Sequence, residues 1–183
     1  MRPLDRLLQE WRLAKVAPYI ARDSRVLDIG CGDGRLFRRF RSRIREGIGI
    51  DPDLREPSDG GFYRLIPGVF PDHLPDGAAP FDVITMLAVL EHIPRERQRR
   101  LAEACAALLV PGGRLVITVP SPAVDRILHG LRRVPFFYEG RSLEQHYGFD
   151  VRDTPVIFSP LTLLTAKKFQ CGLNHLFVFQ RPA

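Results

Sequence analysis

The run Val26-Leu27-Asp28-Ile29-Gly30-Cys31-Gly32-Asp33-Gly34 joins an apolar strand to three alternating glycines and a carboxylate. Glycines at a strand end let the backbone turn sharply and come close to a ligand. A helix opening directly after them offers its first amides to a carboxylate or phosphate. A dinucleotide loop places glycine at its first, third and sixth positions. Counted from Gly30, the sixth position here is Arg35. Asp28 stands where the strand of a dinucleotide site is normally apolar, and an anionic side chain there suits a ligand with an ammonium group. Asp51 ends the next strand-like run, 21 positions after Gly30, where a carboxylate can accept from both hydroxyls of a ribose. Alone, the glycine run is a tight turn and Asp51-Pro52 is turn or capping chemistry. Together they point to a nucleoside ligand with a cationic end.

Alternating elements must position these groups. Leu4, Leu7, Leu8, Trp11 and Ala14 recur at helical spacing, so an amphipathic helix is expected to end near Pro18. Strands are expected at Arg25–Ile29, Gly47–Asp51, Phe62–Ile66, Phe81–Leu87 and Arg114–Val119. Helices are expected after the glycine loop (Leu36, Phe37 and Phe40 facing inward) and over Leu101–Leu109, stopped by Pro111-Gly112-Gly113. Strands alternating with helices imply a parallel sheet covered on both faces. The tail differs: Thr162–Gln170 and His175–Phe179, joined by Cys171-Gly172-Leu173-Asn174, read as an antiparallel hairpin.

With 183 residues, 45% hydrophobic and 26% charged, the chain reads as one soluble domain spanning 1–183. It has no secretory leader pattern and no apolar run long enough to span a membrane, so a cytoplasmic address is expected. Cys31, Cys105 and Cys171 have neither disulfide nor zinc spacing and read as small apolar fillers. The net charge of +6 is carried mostly by arginine. Its clusters, 38–43 and 95–100, lack the interleaved aromatics of a base-stacking surface, so they read as solvated helix faces rather than a nucleic-acid site.

The chain resembles the class I S-adenosylmethionine (SAM)-dependent methyltransferases. The resemblance rests on the Val26–Gly34 loop, Gly49-Ile50-Asp51, Phe81-Asp82-Val83-Ile84, Val89-Leu90-Glu91-His92-Ile93 and Leu109-Val110-Pro111-Gly112-Gly113. The last two are similar to methyltransferases of quinone biosynthesis and their small-molecule relatives. The resemblance implies a doubly wound, Rossmann-like α/β fold: a three-layer α/β/α sandwich with a seven-stranded sheet of order 3-2-1-4-5-7-6 and strand 7 antiparallel. It implies SAM as cofactor, with Asp28, Gly30 and Gly32 around the methionine end, Asp51 on the ribose, and Cys31, Gly34 and Leu87 among the other cofactor-binding residues. Two departures stand out. Pro52–Gly61 carries two prolines and two glycines where the family has a helix. After strand 3 the chain has Val69-Phe70-Pro71-Asp72, so either Asp72 receives the adenine amino group or Phe70 and backbone groups hold the ring.

Residues 123–149 sit where the family builds a substrate lid. They carry a helical stripe (Val124, Ile127, Leu128, Leu131) and the run Phe136-Phe137-Tyr138, which either line a pocket for an apolar small-molecule acceptor or cover the sheet edge. Methyl transfer needs chiefly alignment in a dry cavity. His146 and His92 are the candidate bases for a hydroxyl acceptor. Some relatives bind a divalent cation through Glu-x-x-Glu-His; here the first glutamate position is Ala88, so no metal is expected. The alternatives are a non-catalytic SAM-binding or partner-binding subunit, a nicotinamide-dependent oxidoreductase, and an RNA modifier using the arginine clusters. No sequence feature specifies the oligomeric state.

Overall fold

The structure, a computed structural model, describes residues 3–121 and 149–183. Eight strands form one sheet: β1 (Ser24–Ile29), β2 (Ile44–Asp51), β3 (Ser58–Asp59), β4 (Tyr63–Pro67), β5 (Phe81–Leu87), β6 (Leu109–Pro120), β7 (Thr162–Phe169) and β8 (Asn174–Gln180). Their order is β3-β4-β2-β1-β5-β6-β8-β7. The seven expected strands therefore lie in the expected order, and a two-residue strand, β3, is added antiparallel to β4 at one edge. β1, at the centre, is buried at all six positions, the polar Ser24, Arg25 and Asp28 included. It pairs in parallel with β2 and β5, while β8 is antiparallel to both β6 and β7.

Side chains alternate across a strand, so β1 feeds two cores. On one face Leu27 and Ile29 pack with Leu101, Ala102 and Cys105 of helix α3 (Arg95–Leu108) and with Phe158, just past the short helix α4 (Thr154–Ile157). On the other, Val26 packs with Leu13 and Val16 of helix α1 (Pro3–Val16) and with Leu36 and Phe37 of α2 (Arg35–Arg39). That is the three-layer arrangement.

Two expectations need correction. In α1 the stripe through Leu7 and Trp11 faces solvent, these residues being 60% and 42% exposed, while Leu13 and Val16 are buried. Leu13 and Val16 pack into the core with Val26, Leu36 and Phe37, and on the rim of that contact the Arg35 guanidinium donates to Glu10 Oε1 (2.9 Å) and Gln9 Oε1 (3.0 Å). Second, Cys171 is exposed and so is not a core filler, unlike the buried Cys31 and Cys105. It occupies the β7–β8 turn, where Gln170, Cys171 and Gly172 all have positive φ, and its side chain is exposed while that of Gln170 is buried.

The Pro52–Gly61 stretch forms turns and β3 rather than a helix. The ladder between β5 and β6 breaks at Val110–Gly113, which bulges out before pairing resumes at Val83↔Arg114. No described helix is long and apolar enough to cross a membrane.

Candidate functional site

The C-terminal ends of β1, β2 and β5 converge on the glycine loop. Gly30 N–H donates to the Ile50 carbonyl (2.8 Å), folding the loop back on β2, and Gly34 N–H donates to the Cys31 carbonyl (3.0 Å). Gly30 has φ +74°, and a methyl group added there would stand 2.3 Å from Val89 Cγ2. Gly32 also has positive φ, but an added methyl would meet nothing within 4 Å. The loop is packed on one side and open on the other, as a ligand requires. The helix that follows, α2, has only five residues, and the amides of Gly30, Cys31, Gly32 and Gly34 donate to Ile50, Asp51 and Cys31 within the protein.

Asp28 lies beneath the loop, 4% exposed, and accepts a 2.6 Å hydrogen bond from Thr85 Oγ1. Burial pushes its carboxyl up to about 7; the Thr85 bond opposes this and the charge of Asp51 adds to it. Asp51 carries two loads: its Oδ2 accepts from Gly32 N–H (2.8 Å) and its Oδ1 from Asp53 N–H (2.9 Å). It thus props the loop while each oxygen keeps a lone pair for a further donor. Burial, reinforced by Asp28 and Asp51, drives the Cys31 thiol upward, so this cysteine is a neutral filler below the loop.

Beside the loop lies a cavity of about 320 Å³ whose walls include Ile50, Phe70, Val89 and His92. Phe70 is 6% exposed and supplies an apolar wall. Asp72 also borders the cavity, but its carboxylate is held between Arg97 (3.0 Å) and Arg100 (2.7 Å) of α3. Those ion pairs favour the Phe70 alternative for a flat ring. Ala88 has φ +59° and its N–H donates to the Thr118 carbonyl (2.8 Å), which sets Val89 against Gly30. Leu87 ends β5, partly buried on the α1 face. His92 lies on the 3₁₀ turn Leu90–His92, with Nε2 3.9 Å from Glu91 Oε1. His146 and most of 123–149 lie outside the described residues, as does the stripe Val124–Leu131.

A larger groove, about 600 Å³, runs under the opposite ends of β2 and β4 past Arg45, Tyr63 and Arg64. Its Tyr63 packs against Gly34 of the loop, while its Arg25 and Arg45 are paired with Glu46 and Asp23. Of the two arginine clusters, Arg38, Arg39, Arg97, Arg99 and Arg100 have side chains at least half exposed, matching solvated helix faces. Among the described residues, no three His, Cys, Asp or Glu side chains gather as a metal site.

Thr85 and Val89 border the candidate site without having been expected there from sequence. Thr85 is a β-branched residue in a strand, and its link to Asp28 depends on the register Asp28↔Thr85. Val89 matters only through its distance from Gly30.

Residues 2–163 match a family described as a methyltransferase domain. The chain is 25% identical over 184 residues to a ubiquinone biosynthesis O-methyltransferase of Idiomarina loihiensis, covering 86% of this chain and 75% of that protein. Against the same-named protein of Xylella fastidiosa, identity is 35% over 105 residues, covering 52% of this chain but only 41% of that relative. The fold is that of solved methyltransferases. The N-methyltransferase NodS of Bradyrhizobium japonicum in complex with S-adenosyl-L-homocysteine (SAH) superimposes with a TM-score of 0.62 at 19% identity, covering 98% of this chain and 87% of that one.

Proposed function

The chain belongs to the methyltransferase-domain family, and from that premise we propose that it transfers the methyl group of SAM to a small-molecule acceptor. The observation that carries this reading is the glycine loop: packed by Val89 behind Gly30, open over Gly32, and propped by Asp51. SAM lies across that opening, with its ammonium group toward the Asp28 end, its ribose hydroxyls on Asp51 and its adenine in the cavity walled by Phe70. An oxidoreductase reading fits less well, because Arg35, at the sixth loop position, is committed to Glu10 and Gln9 of α1. Family membership likewise weighs against a purely partner-binding subunit. Unpaired cysteines accord with a reducing, cytoplasmic setting.

The reaction is an in-line displacement: the acceptor's lone pair forms the new bond to the methyl carbon as the carbon–sulfur bond breaks and its electron pair returns to sulfur. SAH leaves, and the acceptor's proton passes to a base or to solvent. The chain's own share is alignment and exclusion of water. Of the candidate bases, His92 borders the cavity beside the loop. A fall in kcat for His92→Gln with acceptor KM unchanged supports the base role, whereas unchanged kcat assigns His92 to the loop's packing.

Calorimetric titration with SAM and SAH tests the cofactor assignment. Both should bind wild type, and Asp51→Ala should bind each about 1–3 kcal/mol more weakly, the usual effect of removing a partner from a polar site. Unchanged affinity in that variant removes Asp51 from the ribose.

A further inference from the structure

Four polar side chains lie along the α1 face of the sheet at the end where the glycine loop opens. Asp28 and Thr85 are bonded to each other. One step further along, Thr118 of β6 stands in register with Leu87 of β5 and with Leu176 of β8. Asn174, two residues before Leu176, therefore shares its face and sits diagonally from Thr118, where Cβ atoms are within about 7–8 Å. Thr118 is 0% exposed and Asn174 is 3% exposed. Neither Thr118 Oγ1 nor Asn174 Oδ1 has a hydrogen-bond partner.

The orientation of Asn174 follows from a relay. The backbone carbonyl of Leu8 in α1 can only accept, and it takes a hydrogen bond from Gln170 Nε2 (3.3 Å). Gln170 must then turn its Oε1 toward Asn174, which answers with its Nδ2. Both amide NH2 groups are thereby committed, and Asn174 is left presenting a bare carbonyl oxygen. Thr154 Oγ1 and His175 Nδ1, also buried without partners, do not share this face. His175 alternates to the side of Phe177 and Phe179, and Thr154 belongs to α4 beside α3.

Buried oxygens of this kind cost stability unless something occupies them. We propose that Thr118 and Asn174 form the polar anchor of the acceptor site and take a hydroxyl donor on an otherwise apolar small molecule. The proposal rests on the methyltransferase reading above. An oxygen acceptor alone leaves Asn174 Oδ1 unpaired, so an ether or ketone does not satisfy the anchor. The Leu87 and Leu176 side chains beside Thr118 match the apolar body of the ligand.

The test uses the full chain loaded with SAH, titrated by calorimetry with 1,2-dihydroxybenzene and, separately, with 1,2-dimethoxybenzene. Wild type should prefer the diol at least tenfold. Thr118→Val and Asn174→Leu should each erase that preference and leave SAH affinity unchanged. Thr118→Val, which replaces a bare hydroxyl with a methyl of the same shape, should also hold or raise the melting temperature. Three results each overturn the proposal: no preference for the diol in wild type, a preference that survives Thr118→Val (an ordered water then fills the recess), or a melting temperature lowered by Thr118→Val. Failure of wild type to bind SAH at all strikes the cofactor reading instead.

Discussion

Gly30→Ala is expected to lower SAM affinity at least a hundredfold and to lower the melting temperature as well. At φ +74° an L side chain meets its own backbone, at about 1–2 kcal/mol for a single residue. The larger effect is steric. The new methyl would lie 2.3 Å from Val89 Cγ2, and Val89 has little room to retreat, because the Ala88 N–H is pinned to the Thr118 carbonyl. The loop must shift instead, breaking the Gly30–Ile50 hydrogen bond that folds it against β2. Gly32→Ala is the informative companion. Its methyl meets no protein atom, so it should fold with a much smaller loss of stability yet still bind SAM poorly, because the methyl enters the ligand's space. Calorimetry and thermal melts on both variants separate the two effects. Wild-type SAM affinity in Gly32→Ala would falsify the placement of the cofactor over that residue.

The second large effect is on pH. Buried Asp28 has its carboxyl raised to about 7 from an ordinary 3.8. The raised value means that the folded chain favours the protonated form. This contribution to stability is whole below pH 3.8 and is lost as pH climbs toward 7. The unliganded protein therefore carries its heaviest Asp28 penalty above neutrality. A cationic ligand reverses the preference by stabilising the ionised carboxylate. Binding of SAM below pH 7 must then expel a proton, and affinity should rise by up to about tenfold per pH unit between pH 5 and 7 before levelling off. Titrations in two buffers of different ionisation enthalpy measure the released proton directly. Asp28→Asn should bind more weakly and show a flat profile over that range. A wild-type affinity independent of pH would place the ammonium group elsewhere.

Much of this site was legible in the residues, because its parts are written locally. A glycine can be counted from a strand end, and an acidic residue at the end of the next strand can be located by spacing alone. Strand order was legible through the family resemblance, while the buried run of β1 spoke for itself. What escaped was whatever depends on register or on distances across the fold. Thr85 bonds Asp28 only because β1 and β5 pair with those residues side by side. Val89 packs on Gly30 only because Ala88 turns left-handed. The rotation of α1 escaped for a similar reason: periodicity locates an apolar stripe, but Leu13 and Val16, not Leu7 and Trp11, meet partners across the fold. Likewise Asp72 stood in sequence as one of two alternatives for the adenine amino group, and two arginines 25 and 28 positions further on hold it.

The insertion of β8 between β6 and β7 bears on the order in which the molecule assembles. Among the described residues β7 pairs with β8 alone, so although it is synthesised first it joins the sheet through the later strand. The two therefore dock as a hairpin, and β6 must wait with an open edge, holding Leu115, Ile117 and Val119 beside unpaired amides. During that interval the open edge is a template for association between molecules. An interruption anywhere in 174–180 removes two strands rather than one and leaves that edge permanently exposed. Aggregation during synthesis, more than loss of chemistry, would then be the dominant fault of such a lesion.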